Sequence, residues 1–471
     1  MRQRILSWLG ILIVVGACGS RGGAETAGSD SGGAGTGGSE SSGGGSSGDG
    51  GGASGGAPGA AGSTNSGNPF AGASFYVNPQ WASDVRGAAQ AVAAQEPELS
   101  AAIQRVASQP AAFWLDRIAA IDGTSTMLGL AGHLDEALTQ QASDGGGPMV
   151  VAMIVYDLPD RDCAAFASNG ELHTNQDGLA RYEAEYIDRI VRVIQSKPAY
   201  QELRIVAVVE PDALPNIVTN MSLPACAAAE PAYRAGVAYA VQQLATLPNV
   251  YIYLDIAHSA WLGWEHPDRA ATVYSEVLTT AGGADLVRGF ATNVANYSAL
   301  KEPFNPYDDQ GRYNDLIVDF YEWNRMIDEV TYVNAMRARF PNHRFLVDTG
   351  RNGWPAQATG LPIENRTHRG NWCNVTGAGI GERPRADPVA GVDAYYWLKP
   401  PGESDGTSDS TQTTPDAEGK RYDPMCGPDP VARPYSNGKA IATDALQGAP
   451  PAGHWFEEQF LMLVRNATPA F

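Results

Sequence analysis

The chain has 471 residues and a formal net charge of −20 at pH 7. The charge argues against a nucleic-acid partner, because phosphates would be repelled and the sequence has no basic stripe to override that repulsion. A neutral substrate fits it better. The length suits two or three average domains or one large barrel of strands and helices.

The N-terminus has the pattern of an export signal. After Arg2 and Arg4, an apolar run from Ile5 to Val15 is too short to span a bilayer, and it ends in Val15-Gly16-Ala17-Cys18. Small residues before a cysteine resemble a bacterial lipobox, in which the cysteine is lipidated and becomes the new N-terminus. We therefore expect a signal peptide over residues 1–18 and lipidation of Cys18. An ordinary signal peptide with an incidental cysteine, and hence a secreted protein, is the alternative.

Residues 19–68 are dominated by Gly and Ser. Such a segment buries too little apolar surface to offset its ordering entropy, so we expect a disordered tether. The folded domain is expected over residues 69–471. A tether directly after Cys18 suits an anchor at the bacterial cell envelope or surface, and this anchor would be the only contact of the chain with a membrane.

Beyond the tether, apolar runs typical of buried strands alternate with helical patterns. Helices are predicted over residues 176–196 and from Ala232 to Leu247, because apolar residues recur there at helical spacing. The predicted strands are Met149 to Tyr156, Leu203 to Val209, Asn249 to Asp255, Val287 to Val294, Arg344 to Thr349 and Val392 to Leu398. This alternation predicts an α/β fold with a parallel sheet, open or closed into a barrel. Residues 400–450 lack periodicity and are expected to form a long ordered loop or a lid.

Polar and aromatic residues follow the predicted strands. In β/α folds the reactive groups lie at the carboxyl ends of strands, where the loops begin. The segments concerned are Tyr156 to Cys163, Glu210 to Asp212, Asp255 with His258, Trp261 and Trp264, Asn293 and Asn296, Asp348 and Arg351, and Lys399 with Glu403 and Asp405. Carboxylates, amides and indoles on one rim are typical of a sugar-binding cleft.

Cysteine usage agrees with export. Without Cys18, four cysteines remain, an even number that suits two disulfides in an oxidising compartment: Cys163, Cys226, Cys373 and Cys426. No CxxC pair occurs, so neither a zinc nor a redox site is expected. The cysteines by themselves leave all three pairings open. No metal or organic cofactor and no protein partner is indicated by the sequence.

Asp212 is the residue most suited to acid catalysis. It follows an apolar strand, and Pro211 stiffens its approach. A desolvated carboxyl at such a strand end has a raised pKa and stays protonated, as acid cleavage of an acetal requires. A helix N-cap or a loop ion pair is the alternative for Asp212. For Asp162, which lies beside Arg161, the alternative is a structural salt bridge; an ionised Asp162 would also help to keep a neighbouring carboxyl protonated.

Six segments, in order, closely resemble glycoside hydrolase family 6. The first signature is Tyr156-Asp157-Leu158-Pro159-Asp160-Arg161-Asp162-Cys163, continued by Ala167-Ser168-Asn169-Gly170, and the second runs from Val208 to Pro215. The other blocks are Leu254 to Trp264, Ala291 to Tyr297, Asn371 to Asn374 and Lys399 to Gly406. The resemblance extends over residues 68–471. It implies a distorted, incomplete (β/α) barrel of about seven parallel strands, with loops enclosing an active-site tunnel.

The resemblance implies inverting hydrolysis of β-1,4-glucan. In this family Asp212 matches the proton donor, Asp162 the aspartate that supports it, and Asp405 the aspartate proposed as base. A chain of waters involving Ser168 and a carboxylate is the other route proposed for the base. Substrate contacts are implied for Trp114, Asp116, Tyr156, Ser168, His258, Trp261, Asn296, Trp372, Lys399 and Glu403. Core packing is the alternative for each tryptophan, Trp264 included, and a mutual ion pair for Lys399 and Glu403.

The same resemblance pairs Cys163 with Cys226 and Cys373 with Cys426. The long stretch from Asp405 to Leu446, which carries Cys426, is similar to the bacterial cellobiohydrolases of the family. It implies a tunnel and processive release of cellobiose from non-reducing ends of cellulose. An endo-acting glucanase, a preference for another β-glucan, and a non-catalytic cellulose-binding lipoprotein are the alternatives.

Overall fold

The structure is a computed structural model that describes residues 67–264, 266–315, 317–355, 360–432 and 439–471. The predicted signal peptide, Cys18 and nearly all of the predicted tether lie outside these residues. Within them, no helix is both long and apolar enough to cross a membrane.

The centre of the folded unit is a curled sheet. Its strands and one small hairpin are β1 (Ser74–Phe75), β2 (Phe113–Leu115), β3 (Met149–Val155), β4 (Arg204–Val209), β5 (Val250–Asp255), β6 (Gly289–Thr292), β7 (Arg344–Asp348), β8 (Arg385–Ala386), β9 (Val392–Tyr396), β10 (Val431–Ala432) and β11 (Ala440–Ile441). The order in the main sheet is β1-β3-β4-β5-β6-β7-β9-β8, with β2 also paired to β3. All of these pairs are parallel except β8 with β9, while β10 and β11 form the antiparallel hairpin.

The helices connect successive strands and cover the sheet. They are α1 (Pro79–Val92), α2 (Pro97–Val106), α3 (Ile118–Asp122), α4 (Leu130–Ser143), α5 (Gly178–Arg181), α6 (Asp188–Gln195), α7 (Ala213–Thr219), α8 (Pro224–Leu244), α9 (Pro267–Ala281), α10 (Val318–Tyr321), α11 (Glu329–Arg339) and α12 (Glu457–Arg465). Parallel strands need such crossovers, because the chain must return to the same end of the sheet before each strand.

Strand β3 illustrates how the sequence produces a two-sided core. All seven of its residues are buried. Side chains alternate along a strand, so Val151 and Met153 face the helical layer whereas Ala152 and Ile154 point into the barrel with Val206 and its neighbours. Burial on both faces explains why this strand is a continuous apolar run.

The barrel is incomplete, as the family resemblance implies. The ends of the sheet, β1 and β2 on one side and β8 and β9 on the other, form no strand ladder with each other in the described residues. A single backbone hydrogen bond, 3.0 Å from the amide of Ala112 to the carbonyl of Trp397, joins the two edges. The predicted fold class is therefore confirmed.

Both predicted disulfides are present. Cys163 is bonded to Cys226 and Cys373 to Cys426, with Cα–Cα distances of 4.9 and 5.1 Å. The first bond ties the loop after β3 to α8. This anchor lies in the part of α8 that precedes the predicted start at Ala232, so the helix begins two turns earlier than the apolar spacing suggested.

The predicted helix over residues 176–196 is present from Gly178 to Gln195, with a π-helical turn in its middle. Between α5 and α6 the chain makes a π-helical turn from Tyr182 to Ile187. The rings of Tyr182 and Tyr186 stack at 5.4 Å inside it, and their hydroxyls donate to Glu210 and to the carbonyl of Leu115. The turn thus places two tyrosine hydroxyls in hydrogen-bonding contact with the ends of β2 and β4. Such π-helical turns are frequent at functional sites. The predicted loop over 400–450 is confirmed, with only a short helical turn (Pro424–Cys426) and the β10–β11 hairpin within its described residues.

We predict that the folded domain becomes less stable as the pH rises from about 5 to about 8. Burial raises the pKa of Glu210, Asp255, Glu302 and Glu329 to about 7, from ordinary values of 4.5 for Glu and 3.8 for Asp. Between the ordinary and the raised values the folded state therefore binds more protons than the unfolded chain, and stability falls with pH. Calorimetry at constant ionic strength should give a melting temperature lower at the higher pH by roughly 3 °C or more.

Glu329→Gln is the matched control for this prediction. It removes one titrating group while an oxygen remains to accept the 2.7 Å hydrogen bond from the amide of Ser259. The variant should lose part of the pH dependence. A melting temperature that increases between these two pH values would contradict the linkage.

Candidate active site

The carboxyl ends of the parallel strands open into a cavity of about 840 Å³. The structure brings together every residue for which a catalytic or substrate-contact role was predicted. These residues are Trp114, Asp116, Tyr156, Asp162, Ser168, Asp212, His258, Trp261, Asn296, Trp372, Lys399, Glu403 and Asp405. Of the other rim residues, Trp264 also lines the cavity, whereas five are buried and do not line it: Glu210, Asp255, Asn293, Asp348 and Arg351.

Asp212 lies at the N-cap position of α7, but its side chain makes no capping hydrogen bond. The backbone at this residue is left-handed, with φ 67°, which is unusual for a residue other than glycine and directs the carboxyl away from the helix. Burial raises the pKa of Asp212 well above its usual value, and the charges of Asp162 and Asp255 raise it further. The geometry therefore rejects the N-cap alternative and favours a protonated carboxyl.

Asp162 differs from Asp212 because it has donors. The hydroxyl of Ser168 donates to its Oδ2, and the hydroxyl of Tyr156 also interacts with it. Burial raises the pKa of Asp162, but the bonds from Ser168 and Tyr156 and the charge of Arg161 oppose that shift. In this coupled pair we assign the proton to Asp212, since only Asp162 has groups that stabilise its charge.

Arg161 organises the loop that carries these residues. Its buried guanidinium donates to the carbonyls of Tyr156, Ser168 and Asp116, and it lies 4.3 Å from the ring centre of Tyr156. Its ion pair is with Asp157, at 3.6 Å, and not with Asp162. The salt bridge weighed as an alternative role for Asp162 is therefore made by another residue, and Asp162 stays directed at the cavity.

Asp255 and Glu210 fix the backbone of the site through hydrogen bonds to amides. Asp255 Oδ2 accepts hydrogen bonds from the backbone amides of Asp212, at 3.0 Å, and Ala257, at 3.2 Å. Glu210 accepts from the amides of Asp157 and Leu158 at 3.1 and 3.3 Å. Each carboxyl thus fixes the backbone of a neighbouring strand end.

Asp405 is bound on both oxygens. Arg351 donates to Oδ1 at 2.8 Å, while the hydroxyl of Tyr297 and the amide of Asn374 donate to Oδ2 at 2.7 and 2.8 Å. Arg351 is itself buried. Asp405 is therefore an anchored carboxylate at the cavity surface, with its charge compensated by protein groups.

Lys399 and Glu403 form the ion pair that was weighed as an alternative, at 3.4 Å, and both still line the cavity. The ammonium of Lys399 also lies 4.9 Å from the ring centre of Trp114. The indole nitrogen of Trp114 donates to the carbonyl of Leu398 at 2.9 Å. One wall of the cavity thus combines a fixed indole with a charge pair, a suitable surface for a sugar ring and its hydroxyls.

The other walls carry aromatic and amide groups. Trp261 is fixed by a 2.8 Å hydrogen bond from its indole nitrogen to Thr219 Oγ1, and His258 Nδ1 lies 2.9 Å from Ser298 Oγ. Burial lowers the pKa of His258 well below its usual value, and the nearby arginines lower it further, so the ring is neutral. Trp372 packs on the Cys373–Cys426 disulfide region. Trp114, Trp261 and Trp372 therefore contact both the core and the cavity, so the two interpretations do not exclude each other. Trp264 lines the cavity.

A charged cluster at the wall of the cavity joins two segments that are distant in sequence. We call residues 405–446, as far as they are described, the roof loop. Its Lys420 pairs with Asp116 at 2.9 Å, and its Glu418 pairs with Arg117 at 2.8 Å. The charges of Lys420, Arg161 and Arg117 outweigh the effect of burial and hold the pKa of Asp116 below its usual range. All four paired residues line the cavity.

Sequence reasoning missed Lys420 and Glu418. The available signal was that Lys420 and Arg421 are the only cations between Lys399 and Arg433 in an otherwise acidic and neutral stretch. It missed the roles of Arg161 and Asp255 as well, because a contact with a backbone group leaves no pattern in the residue types.

The chain is similar in sequence and fold to known proteins. The model of Glycosyl hydrolases family 6 matches residues 70–467. Exoglucanase A of Cellulomonas fimi is 46% identical over 433 residues, which cover 85% of this chain and 48% of that protein, so the chain spans about half of its length. The probable 1,4-beta-D-glucan cellobiohydrolase C of Aspergillus niger is 41% identical over 413 residues, covering 86% of this chain and 79% of the relative. The catalytic domain of Cellulomonas fimi Cel6B superposes with a TM-score of 0.79 at 44% identity, covering 86% and 96% of the two chains. The chain belongs to glycoside hydrolase family 6.

Proposed function

We propose that this protein is an exported cellulase that hydrolyses β-1,4-glucosidic bonds of cellulose with inversion. The observation that carries the proposal is Asp212, a carboxyl without a capping bond whose pKa is raised well above its usual value inside a cavity lined by indoles. Relatives named exoglucanase and cellobiohydrolase support the substrate class. A non-catalytic cellulose-binding lipoprotein is disfavoured, because Asp162, Asp212 and Asp405 are all retained in the cavity.

In this proposal the acid step belongs to Asp212. Its proton passes to the glycosidic oxygen as the bond to the departing glucan breaks, and positive charge develops on the sugar ring. Asp162 and Asp405 are the anionic groups near this ring that stabilise the charge. The ring of Tyr156 lies 5.3 Å from that of Trp114 and is perpendicular to it. In this proposal Tyr156 presses on the sugar ring that the indole holds.

The base step has two candidate routes. Asp405 is one candidate, but its oxygens already accept from Arg351, Tyr297 and Asn374. The other is a water held by Ser168. As the oxygen of this water bonds to the anomeric carbon, its proton passes to Ser168, whose own hydroxyl proton passes to Asp162, to which it is hydrogen-bonded. The donors around Asp405 favour the relay through Ser168, with Asp405 acting through its charge.

We further propose exo action, with processive release of cellobiose from non-reducing ends. The roof loop supports it in two ways. The pairs Lys420–Asp116 and Glu418–Arg117 fasten the loop across the cavity. The amide of Phe166 also donates to Asp423 of the roof loop at 2.8 Å. A covered cavity holds one chain through successive cuts, which an open cleft does not.

The membrane anchor is also a proposal. A lipidated Cys18 followed by the Gly/Ser tether would keep the enzyme at the bacterial cell envelope or surface, near its substrate.

We predict that Asp212→Asn lowers cellobiose release from amorphous cellulose by about 10²–10⁴-fold, the usual contribution of a general acid. Asp160→Asn is the matched control, because it removes a carboxylate from the same rim that, among the described residues, bonds only to His173 and Thr174. NMR of the first products should show the α-anomer, and cellobiose should dominate. If Asp212→Asn and Asp160→Asn release equal amounts of cellobiose, the acid assignment is refuted. If the β-anomer is formed first, inversion is refuted. If the products are mixed oligosaccharides, exo action is refuted.

We predict that Asp162→Asn moves the alkaline limb of the kcat/KM–pH profile downward by about one unit. The acid must be protonated to act, so activity falls as the pH rises through the raised pKa of Asp212. The charge of Asp162 helps to raise that pKa, and its loss lowers it. Asp160→Asn should leave the limb in place. An unchanged or upward-shifted limb in Asp162→Asn would show that the two carboxyls are not coupled.

For the anchor we predict that the wild-type protein, expressed in a bacterium that processes lipoproteins, fractionates with membranes and incorporates radiolabelled palmitate. Cys18→Ser should lose the label and leave the membrane fraction. Recovery of the mature wild-type protein from the medium with an unmodified Cys18 would contradict lipidation.

A further inference from the structure

Trp323 is the most exposed large hydrophobic residue in the described part of the chain, at 64%. The tryptophans that line the cavity differ from it, since Trp114, Trp261 and Trp372 are each partly buried against the core. An exposed indole does not gain the favourable free energy that burial of so large an apolar side chain would give. An exposed indole of this kind is available for a ligand, provided that it is held in place.

The backbone and the neighbours of Trp323 hold it in place. Glu322 and Trp323 both have left-handed backbones, with φ 48° and 67°, which surrounding contacts must maintain. The ring of Tyr313 lies 5.3 Å from that of Trp323, and its hydroxyl donates to the carbonyl of Asn324 at 2.8 Å. The buried side chain of Asn324 in turn donates to the carbonyl of Ser259 at 2.8 Å. The indole is thus presented by a fixed segment.

This segment lies beside the sugar-contact turn of the active site. Ser259, which accepts the bond from Asn324, directly follows His258. Gly263 packs closely against Met326, because a Cβ added to Gly263 would lie 3.0 Å from the Cβ of Met326. The turn carries Trp261 and Trp264, which both line the cavity. Phe320 and Glu322 also line it, whereas Trp323 does not. Trp323 therefore lies just outside the cavity, at the edge where Trp261 and Trp264 form the wall.

We propose that Trp323 is a further sugar-stacking residue, which binds a glucose unit of a β-glucan chain outside the cavity. The proposal rests on the proposed function and extends its binding site beyond the enclosed part. The C–H faces of a β-linked glucose unit are apolar and pack on the flat face of an indole. The net charge of −20 disfavours an anionic polymer at this position and leaves a neutral chain as the fitting ligand. A single exposed ring is also far smaller than the area that a stable protein interface buries.

The test compares long and short substrates. In Trp323→Ala, the ratio of kcat/KM on amorphous cellulose to kcat/KM on cellotetraose should fall about three- to tenfold, as expected for the loss of one aromatic stack. Trp323→Phe retains a ring and should restore most of the ratio. Val389→Ala, which removes an exposed side chain that does not line the cavity, should match the wild type. Adsorption to amorphous cellulose, measured in the Asp212→Asn background, should weaken with Trp323→Ala by a similar factor.

The outcomes separate this inference from the proposed function. If the wild type cleaves both substrates and Trp323→Ala leaves both the ratio and the adsorption unchanged, the stacking role is overturned while the proposed function stands. A ratio that falls equally in Trp323→Ala and Trp323→Phe also overturns it, because loss of local structure then explains the effect. If the wild type cleaves neither substrate, the proposed function itself fails.

Discussion

The site depends on three carboxyls, Asp162, Asp212 and Asp255, that lie together and are given unequal support. Asp162 accepts a hydrogen bond from the hydroxyl of Ser168. Asp255 accepts hydrogen bonds from two backbone amides, one of which is the amide of Asp212 itself. Among the described residues, no group donates a hydrogen bond to the carboxyl of Asp212 or forms an ion pair with it, and burial and the two neighbouring charges raise its pKa. Ionising all three neighbouring carboxyls costs free energy because their like charges repel, so the carboxyl without hydrogen-bond donors keeps its proton. The chemistry of the site therefore depends on the lack of hydrogen-bond donors at Asp212 as much as on their presence at Asp162 and Asp255.

The surrounding fold maintains this unequal arrangement. Left-handed backbones occur at the ends of successive strands, among them Asp162, Glu210, Asp212, Ala257 and Asn293. Each such residue costs on the order of 1–3 kcal/mol and persists only where its neighbours impose it. Arg161, held by backbone carbonyls, and the disulfide from Cys163 to α8 provide that constraint on the loop after β3. The large covering of helices and buried aromatic residues offsets the cost of the strained rim.

Much of this arrangement is readable in the sequence, because it follows local patterns. Continuous apolar runs predict β3 and β4, and the segment Glu210-Pro211-Asp212 that follows β4 predicts Asp212 at the rim, where the structure places it. The short strands β1 and β2 carry too few residues for a periodic signal, and α8 begins earlier than its apolar spacing indicates because Cys226 ties its start to Cys163. The pair Lys420–Asp116 joins residues 304 positions apart, and no local pattern encodes such a contact. The same holds for Asp255, whose partners are backbone amides.

The roof loop is fastened in two chemically different ways. At Cys373–Cys426 the attachment is covalent, whereas at Asp116–Lys420 and Arg117–Glu418 it consists of charges at the cavity surface. These four side chains are at most 25% exposed, so salt screens their charges less than it screens a surface ion pair. The roof loop is therefore attached covalently on one side and by partly buried charges on the other. Lifting the charged side would separate Lys420 from Asp116 and Glu418 from Arg117, whereas the disulfide would keep the other side attached.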